Sequence, residues 1–212
     1  VIRGGVAPEG WPFIGGAWGI AVLLVVLAAP VWVLLLWLPI AVWVVAFFRD
    51  PVREGPRGDQ VAIAPADGVV VSVINLDEPD FMGGRTTRVS IFMNVFNVHV
   101  NRYPMSGTVA YRHYHPGSFG HAGTEKASLE NEQSSLGLQT ARGRVLVRQI
   151  AGLIARRIVT DDAIGATARQ GERMGLIRFG SRVDLFLPTE ARVVVHTGDK
   201  TMAGSTVVAQ WD

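Results

Sequence analysis

The pair Gly180-Ser181 can cut the chain that carries it. A serine hydroxyl can attack the carbonyl of the residue before it and turn the amide into an ester, and a preceding glycine leaves that carbonyl unshielded and the backbone free to strain. Elimination then releases residue 180 as a new C-terminus. The dehydroalanine left at 181 hydrolyses to a pyruvoyl group and ammonia. Such a carbonyl captures amines as Schiff bases, and the resulting electron sink lets the carboxylate of a bound amino acid leave as carbon dioxide. Taken alone, Gly-Ser is an ordinary turn dipeptide, so the reading depends on the residues around it.

Those residues run Glu172-x-x-Gly175-x-x-x-Phe179-Gly180-Ser181-x-Val183-x-Leu185-Phe186. The string resembles the processing site of the phosphatidylserine decarboxylase proenzymes, in the short form found in archaea and some bacteria. Further blocks resemble that family in order along the chain: Phe47-Phe-Arg-Asp-Pro51, Ala64-Pro-Ala-Asp-Gly68, the run from Ser90 to Arg102, and Gln149 to Arg157. A second Gly-Ser, in Ala203-Gly-Ser-Thr206, is superficially closer to the cleavage site of the longer bacterial enzymes. It lacks the acidic-x-x-Gly-x-x-x-Phe approach and reads as a turn entering a last short strand.

The resemblance implies roles for particular residues. Asp67, which by itself reads as the Asp-Gly of a hairpin turn, becomes the carboxylate that orients a histidine. His99, by itself a core or edge histidine, becomes the general base that takes the proton from Ser181, completing an Asp67-His99-Ser181 triad. The longer enzymes show His-x-x-His where this chain has His99-Val-Asn-Arg102, so His99 must serve both cleavage and decarboxylation or another group must be recruited. The loop from His115 through Phe119 to Asn131 resembles a segment near the substrate. Arg156 and Arg157 match the fork geometry that phosphate oxygens accept. His113, His115 and His121 lack the carboxylate spacing of a metal centre, so no metal is expected.

These residues need a scaffold and an anchor. The 212 residues carry a formal charge of +2 that comes from arginine, Lys126 and Lys200 being the two lysines. No basic block interleaved with aromatics suggests nucleic acid. There is no cysteine, which excludes disulfides, zinc thiolates and a cysteine nucleophile. From Gly10 to Phe48 there is no charged residue. As one helix this run would extend about 58 Å, nearly twice the hydrocarbon thickness of about 30 Å. Pro30 divides it, and a tight transmembrane helical hairpin over residues 1–50 is expected. Trp11, Trp18, Trp32, Trp37 and Trp43 suit contact with headgroups, while Arg49, Arg53 and Arg57 after the run favour a cytoplasmic catalytic part at the cell membrane. The run is too long for a signal peptide.

Residues 51–60 form a Pro-, Gly- and charge-rich linker. Beyond it the pattern predicts short strands over Val61–Ala64, Val69–Ile74, Arg88–Met93, Thr108–His113, Val145–Ile150, Val183–Leu187 and Arg192–His196, with room for one short helix between 128 and 168. The expected fold is mainly β (α+β), a small barrel-sandwich-like domain over 51–212. On the resemblance it is cut into a large chain, 1–180, and a small chain, 181–212, that stay together as a heterodimer. The implied activity is a pyruvoyl-dependent conversion of phosphatidylserine, drawn from the bilayer, to phosphatidylethanolamine. Two rivals use the same residues differently: a membrane-tethered biotinyl- or lipoyl-like barrel modified on Lys200, and a serine hydrolase keeping Ser181 in an intact chain without a Gly-x-Ser-x-Gly elbow.

Overall fold

A computed structural model describes residues 4–118, 131–152, 158–178 and 181–212. The chain divides into two compact units, Val1–Val52 and Arg53–Asp212.

In the first unit a short pairing of β1 (Gly5–Val6) with β2 (Arg49–Asp50) closes the ends of two helices, α1 (Trp11–Val26) and α2 (Val31–Phe47). Pro30 stands immediately before α2, where its missing N–H costs nothing. Ala28 takes a left-handed φ of 51° to turn the chain between the helices. The helices meet through small residues, Ala17, Ala21 and Ala41, which are buried while Val22, Val26, Leu35 and Leu36 face outward. Small residues inside and large apolar ones outside is the arrangement of helices in lipid. The Trp37 Nε1–H donates to the Ala17 carbonyl at 2.8 Å across the pair. With the 3-10 turn that leads into it, α1 gives a 19-residue segment, Pro8–Val26, long and apolar enough to cross a membrane; α2 is shorter.

The second unit is almost entirely β. Its strands are β3 (Val61–Ile63), β4 (Gly68–Glu78), β5 (Gly84–Met93), β6 (Val100–Arg102), β7 (Gly107–His115), β8 (Gln133–Thr140), β9 (Gly143–Ala151), β10 (Ile158–Thr160), β11 (Thr167–Ala168), β12 (Arg173–Ile177), β13 (Ser181–Pro188), β14 (Arg192–Val193), β15 (Lys200–Thr201) and β16 (Val207–Gln210). One large antiparallel sheet has the order β11-β7-β8-β9-β13-β5-β4-β15, and two three-stranded sheets, β10-β12-β6 and β14-β16-β3, accompany it.

Alternation sets the two faces of the large sheet. Val89 and Ile91 of β5, Val147 of β9, and Val183, Leu185 and Leu187 of β13 turn to the main core, where Met174, Ile177, Val208 and Trp211 also lie. The opposite face carries charge. Arg182 there donates to both oxygens of Asp184, at 2.6 and 3.0 Å, and to Ser90 Oγ at 2.9 Å. Arg148 reaches Glu78 at 3.0 Å and Ser135 Oγ at 3.0 Å and lies over the Phe186 ring. Arg182 and Asp184 are essentially inaccessible to solvent, so their bidentate pairing is what allows two charges to sit on a buried strand.

One local expectation is corrected, and another falls partly outside the described residues. Among the described residues between 131 and 168 there is no helix: the polar-apolar alternation of Gln133–Thr140 makes β8, and Gln149 belongs to β9, while 128–130 and 153–157 lie outside the described residues. Asp67-Gly68 is not a hairpin turn either, because β3 pairs with β16 whereas β4 pairs with β5 and β15. Glycine is needed at 68 for a different reason. A Cβ there would lie 2.2 Å from the Phe92 carbonyl oxygen.

Removing one partner of a buried ion pair strands the other. Asp184→Ala is therefore expected to lower the stability of the β unit by about 3–5 kcal/mol, read as a shifted unfolding transition in detergent. A loss within 0.5 kcal/mol would show that Arg182 is neutralised from elsewhere.

Candidate active site

The register of the large sheet gathers the predicted residues along one edge. Ser181, the first residue of β13, stands opposite Met93 at the end of β5 and Ala151 at the end of β9. On the β9 side, Ile150 faces Gln133 at the start of β8, and Gln133 faces His115 at the end of β7. On the β5 side, Phe92 faces Val69, which places Asp67 just before β4 at the same edge.

Ser181 is wholly buried and its Oγ lies 3.4 Å from the thioether sulfur of Met93. His99, also wholly buried, immediately precedes β6. Its carbonyl accepts the Ile177 N–H at 3.3 Å, so it is fastened to the strand that leads toward Ser181. The His99 Nδ1 lies 3.0 Å from the Asn97 carbonyl. A carbonyl only accepts, so Nδ1 carries the proton and Nε2 keeps the lone pair that a general base requires.

Asp67 serves a different set of groups. Its Oδ2 accepts from Arg53 at 2.6 Å and its Oδ1 from the Ala203 backbone N–H at 2.8 Å. The residue thus braces the turn between β15 and β16. Arg57 donates to the carbonyls of Gly204 and Arg53, at 2.8 and 3.3 Å. The segment from Arg53 to Arg57 is seated closely: a Cβ on Gly55 would meet the Ser205 Cα at 2.7 Å, and one on Gly171 would meet the Arg57 guanidinium at 2.3 Å.

Arg102, which stands where the longer enzymes carry a second histidine, donates to the Gly171 carbonyl at 3.0 Å and packs against Gly204. That is a scaffold position. Ser205, in the second Gly-Ser, donates to the Glu54 carbonyl at 2.7 Å and sits in the turn rather than on a strand. Tyr103 donates to Asp162 at 2.5 Å, and burial together with that bond pushes its phenol well above the ordinary range, so it remains a donor and supplies no proton.

Of the remaining predicted residues, Asn131 is buried and donates to the Ala151 carbonyl at 2.7 Å, one strand from Ser181. His115 lies at the same edge but is exposed. Gly180, Phe119, Arg156 and Arg157 lie outside the described residues. Among the described residues no cluster of histidines and carboxylates could hold a metal ion. Sequence reasoning passed over Asn101, Gln149, Arg53 and Met93. The first two are amides inside an apolar alternation, which was the one signal that could have found them.

The family model for phosphatidylserine decarboxylase matches residues 40–209. The phosphatidylserine decarboxylase proenzyme of Symbiobacterium thermophilum is 47% identical over 206 residues, covering 97% of this chain and 95% of its own length. The proenzyme of Nitrosomonas eutropha is 47% identical over 207 residues (97% and 95%), and that of Ralstonia nicotianae 44% over 208 (98% and 96%). These matches do not favour the carrier or hydrolase readings.

The brace on Asp67 has a measurable consequence. Asp67→Ala removes two hydrogen bonds, one charge-assisted and typically contributing about 1.5–3 kcal/mol, and frees the turn after Lys200. A lysine-specific protease is expected to release residues 201–212 several-fold faster from this variant than from the parent chain. Equal rates would show that the turn is held without Asp67.

Proposed function

The chain belongs to the phosphatidylserine decarboxylase family, and from that premise we propose that it is made as a precursor, cuts itself between Gly180 and Ser181, and carries the pyruvoyl group formed from Ser181. The enzyme is a decarboxylase of phospholipid biosynthesis, converting phosphatidylserine to phosphatidylethanolamine and carbon dioxide. The observation that carries the self-processing reading is the placement of Ser181. It is buried, it heads a central strand held on both sides, and its hydroxyl contacts the Met93 thioether.

The residues fit the group. A reactive carbonyl at 181 would lie where β13 enters the sheet, shielded from bulk water by Met93 and Ala151. When bound there it supplies the electron sink that the decarboxylation requires. The chain's own residues supply the rest. His99, with Nδ1 protonated by its bond to Asn97, offers Nε2 to take the Ser181 proton during cleavage and to return a proton at the substrate α-carbon. Asp67 enters as a positioning residue, committed to Arg53 and the Ala203 amide. Asn131 and His115 line the approach, and Arg156 and Arg157 are proposed to meet the phosphodiester.

The substrate resides in a bilayer, and the apolar segment Pro8–Val26 supports membrane attachment. Arg49, Arg53 and Arg57 after the apolar run support a cytoplasmic catalytic unit. After cleavage, β13 to β16 remain hydrogen-bonded into sheets formed by the large chain, which supports a heterodimer of residues 1–180 and 181–212.

Intact-mass measurement tests the reading. The parent chain and Ser205→Ala are expected as two fragments, the smaller beginning at 181 and lighter by one ammonia than a serine-started peptide, while Ser181→Ala stays whole. Phosphatidylserine vesicles should then yield carbon dioxide and free serine should not. A folded parent chain that remains uncut would overturn the proposal.

A further inference from the structure

A short turn, residues 94–97, joins Met93, whose sulfur meets the Ser181 hydroxyl, to the segment that carries His99. Two asparagines bond this turn to itself. The Asn97 Oδ1 accepts the Asn94 N–H at 2.8 Å, the Asn94 Oδ1 accepts the Phe96 N–H at 2.9 Å, and the Asn97 N–H donates to the Asn94 carbonyl at 3.1 Å. A backbone N–H only donates, so each side chain must present its oxygen. Side chains that bond nearby backbone in this way compete with the sheet ladder and favour a turn, and β5 ends at Met93.

The turn bears on His99 through one oxygen. The Asn97 carbonyl lies 3.0 Å from His99 Nδ1. On the other side the backbone is set by strand pairing: the Ile177 N–H donates to the His99 carbonyl at 3.3 Å, and Val100 pairs with Leu176. A fixed backbone still leaves an imidazole able to rotate and to carry its proton on either nitrogen. In water the neutral ring favours the form protonated on Nε2, so keeping the proton on Nδ1 requires an acceptor held in place. The asparagine side chains close the turn from which that acceptor projects. Asn94 is exposed and Asn97 half-buried, so neither is there to fill the core.

We propose that Asn94 and Asn97 are positioning residues for His99: their side chains hold the 94–97 turn so that the Asn97 carbonyl keeps the imidazole proton on Nδ1 and leaves the Nε2 lone pair as the base. This rests on the reading of His99 as the group that takes the Ser181 proton. Neither side chain touches the reacting atoms, and both act through a backbone oxygen. A neutral carbonyl is sufficient for the task, since it selects the tautomer by accepting one N–H and adds no charge beside the ring. Only the side-chain oxygens are used in closing the turn, so aspartate at either position keeps the bond that alanine removes.

Imidazole nitrogen NMR of the full-length Ser181→Ala chain in detergent reads the tautomer in one covalent state, with the His99 signals identified by their loss in His99→Gln. The ring is expected to be protonated on Nδ1 alone. Adding Asn94→Ala or Asn97→Ala should bring in the form protonated on Nε2, whereas Asn94→Asp and Asn97→Asp should leave the ring as it is. In chains that keep Ser181, intact mass should show the alanine variants cutting about 10- to 100-fold more slowly and the aspartate variants within about threefold of the parent. Slower cutting with an unchanged tautomer would mean that the turn matters only to the fold and would overturn the role, as would alanine variants that match the parent in both readouts. If an alanine variant does not fold, Asn94→Gly or Asn97→Gly, which suits a turn but lacks the oxygen, decides by the same criteria. A ring protonated on Nε2 before any change to the turn overturns the proposal outright. A parent chain that never cuts while its His99 is protonated on Nδ1 would instead sink the self-processing reading.

Discussion

The organisation of the β unit depends on one constraint: β13 is paired along its length with β5 and over its first six residues with β9. A strand bonded on both sides cannot slip without breaking two ladders, and a one-residue slip would turn Val183 and Leu185 out of the core and Arg182 and Asp184 into it. The bidentate Arg182–Asp184 pair locks the same register from the opposite face. Its effect on function is positional. Ser181 is the first described residue of this fixed strand, so its hydroxyl has a defined place.

The same register explains how distant segments reach one end of the sheet. Residues 67, 93, 115, 131, 151 and 181 are spread over more than a hundred positions, yet antiparallel pairing puts the ends of β5, β7 and β9 beside the starts of β4, β8 and β13. In the three-stranded sheet, the pairing of β6 with β12 sets His99 beside Ile177. A Cβ at Gly175 would lie 2.1 Å from the Val159 carbonyl oxygen. The glycine of the Glu-x-x-Gly approach is therefore there for close strand packing, and the motif combines scaffold and chemistry in one string.

Polar groups at the site divide by burial. Asp67, with Arg53 and the Ala203 amide, ties the 53–57 segment and the 201–206 turn to the sheet edge. Arg102 has a structural partner in the Gly171 carbonyl. Deeper in, the Ser181 hydroxyl meets the Met93 thioether, which the Asn101 amide also contacts.

Much of this was legible before any coordinates. The Glu172–Phe186 string, the ordered blocks and the uncharged run from Gly10 to Phe48 identified the family and the apolar helices, because motif spacing and hydropathy are local properties written directly in the chain. The break at Pro30 and most of the strands followed from the same local rules. What tertiary structure decided was partnership. Asp-Gly at 67–68 has the composition of a hairpin, and only the pairing of β3 with β16 shows that the glycine is there for the Phe92 carbonyl. The Arg53 and Ala203 partners of Asp67, and the Asn97 carbonyl beside His99 Nδ1, are likewise choices set by three-dimensional proximity. Asn101 and Gln149 read as interruptions in apolar strands, 48 positions apart. They acquire meaning only when two sheets place them in contact beside Ser181, since a hydrogen-bond partner is fixed by distance in space and leaves no mark on spacing in sequence.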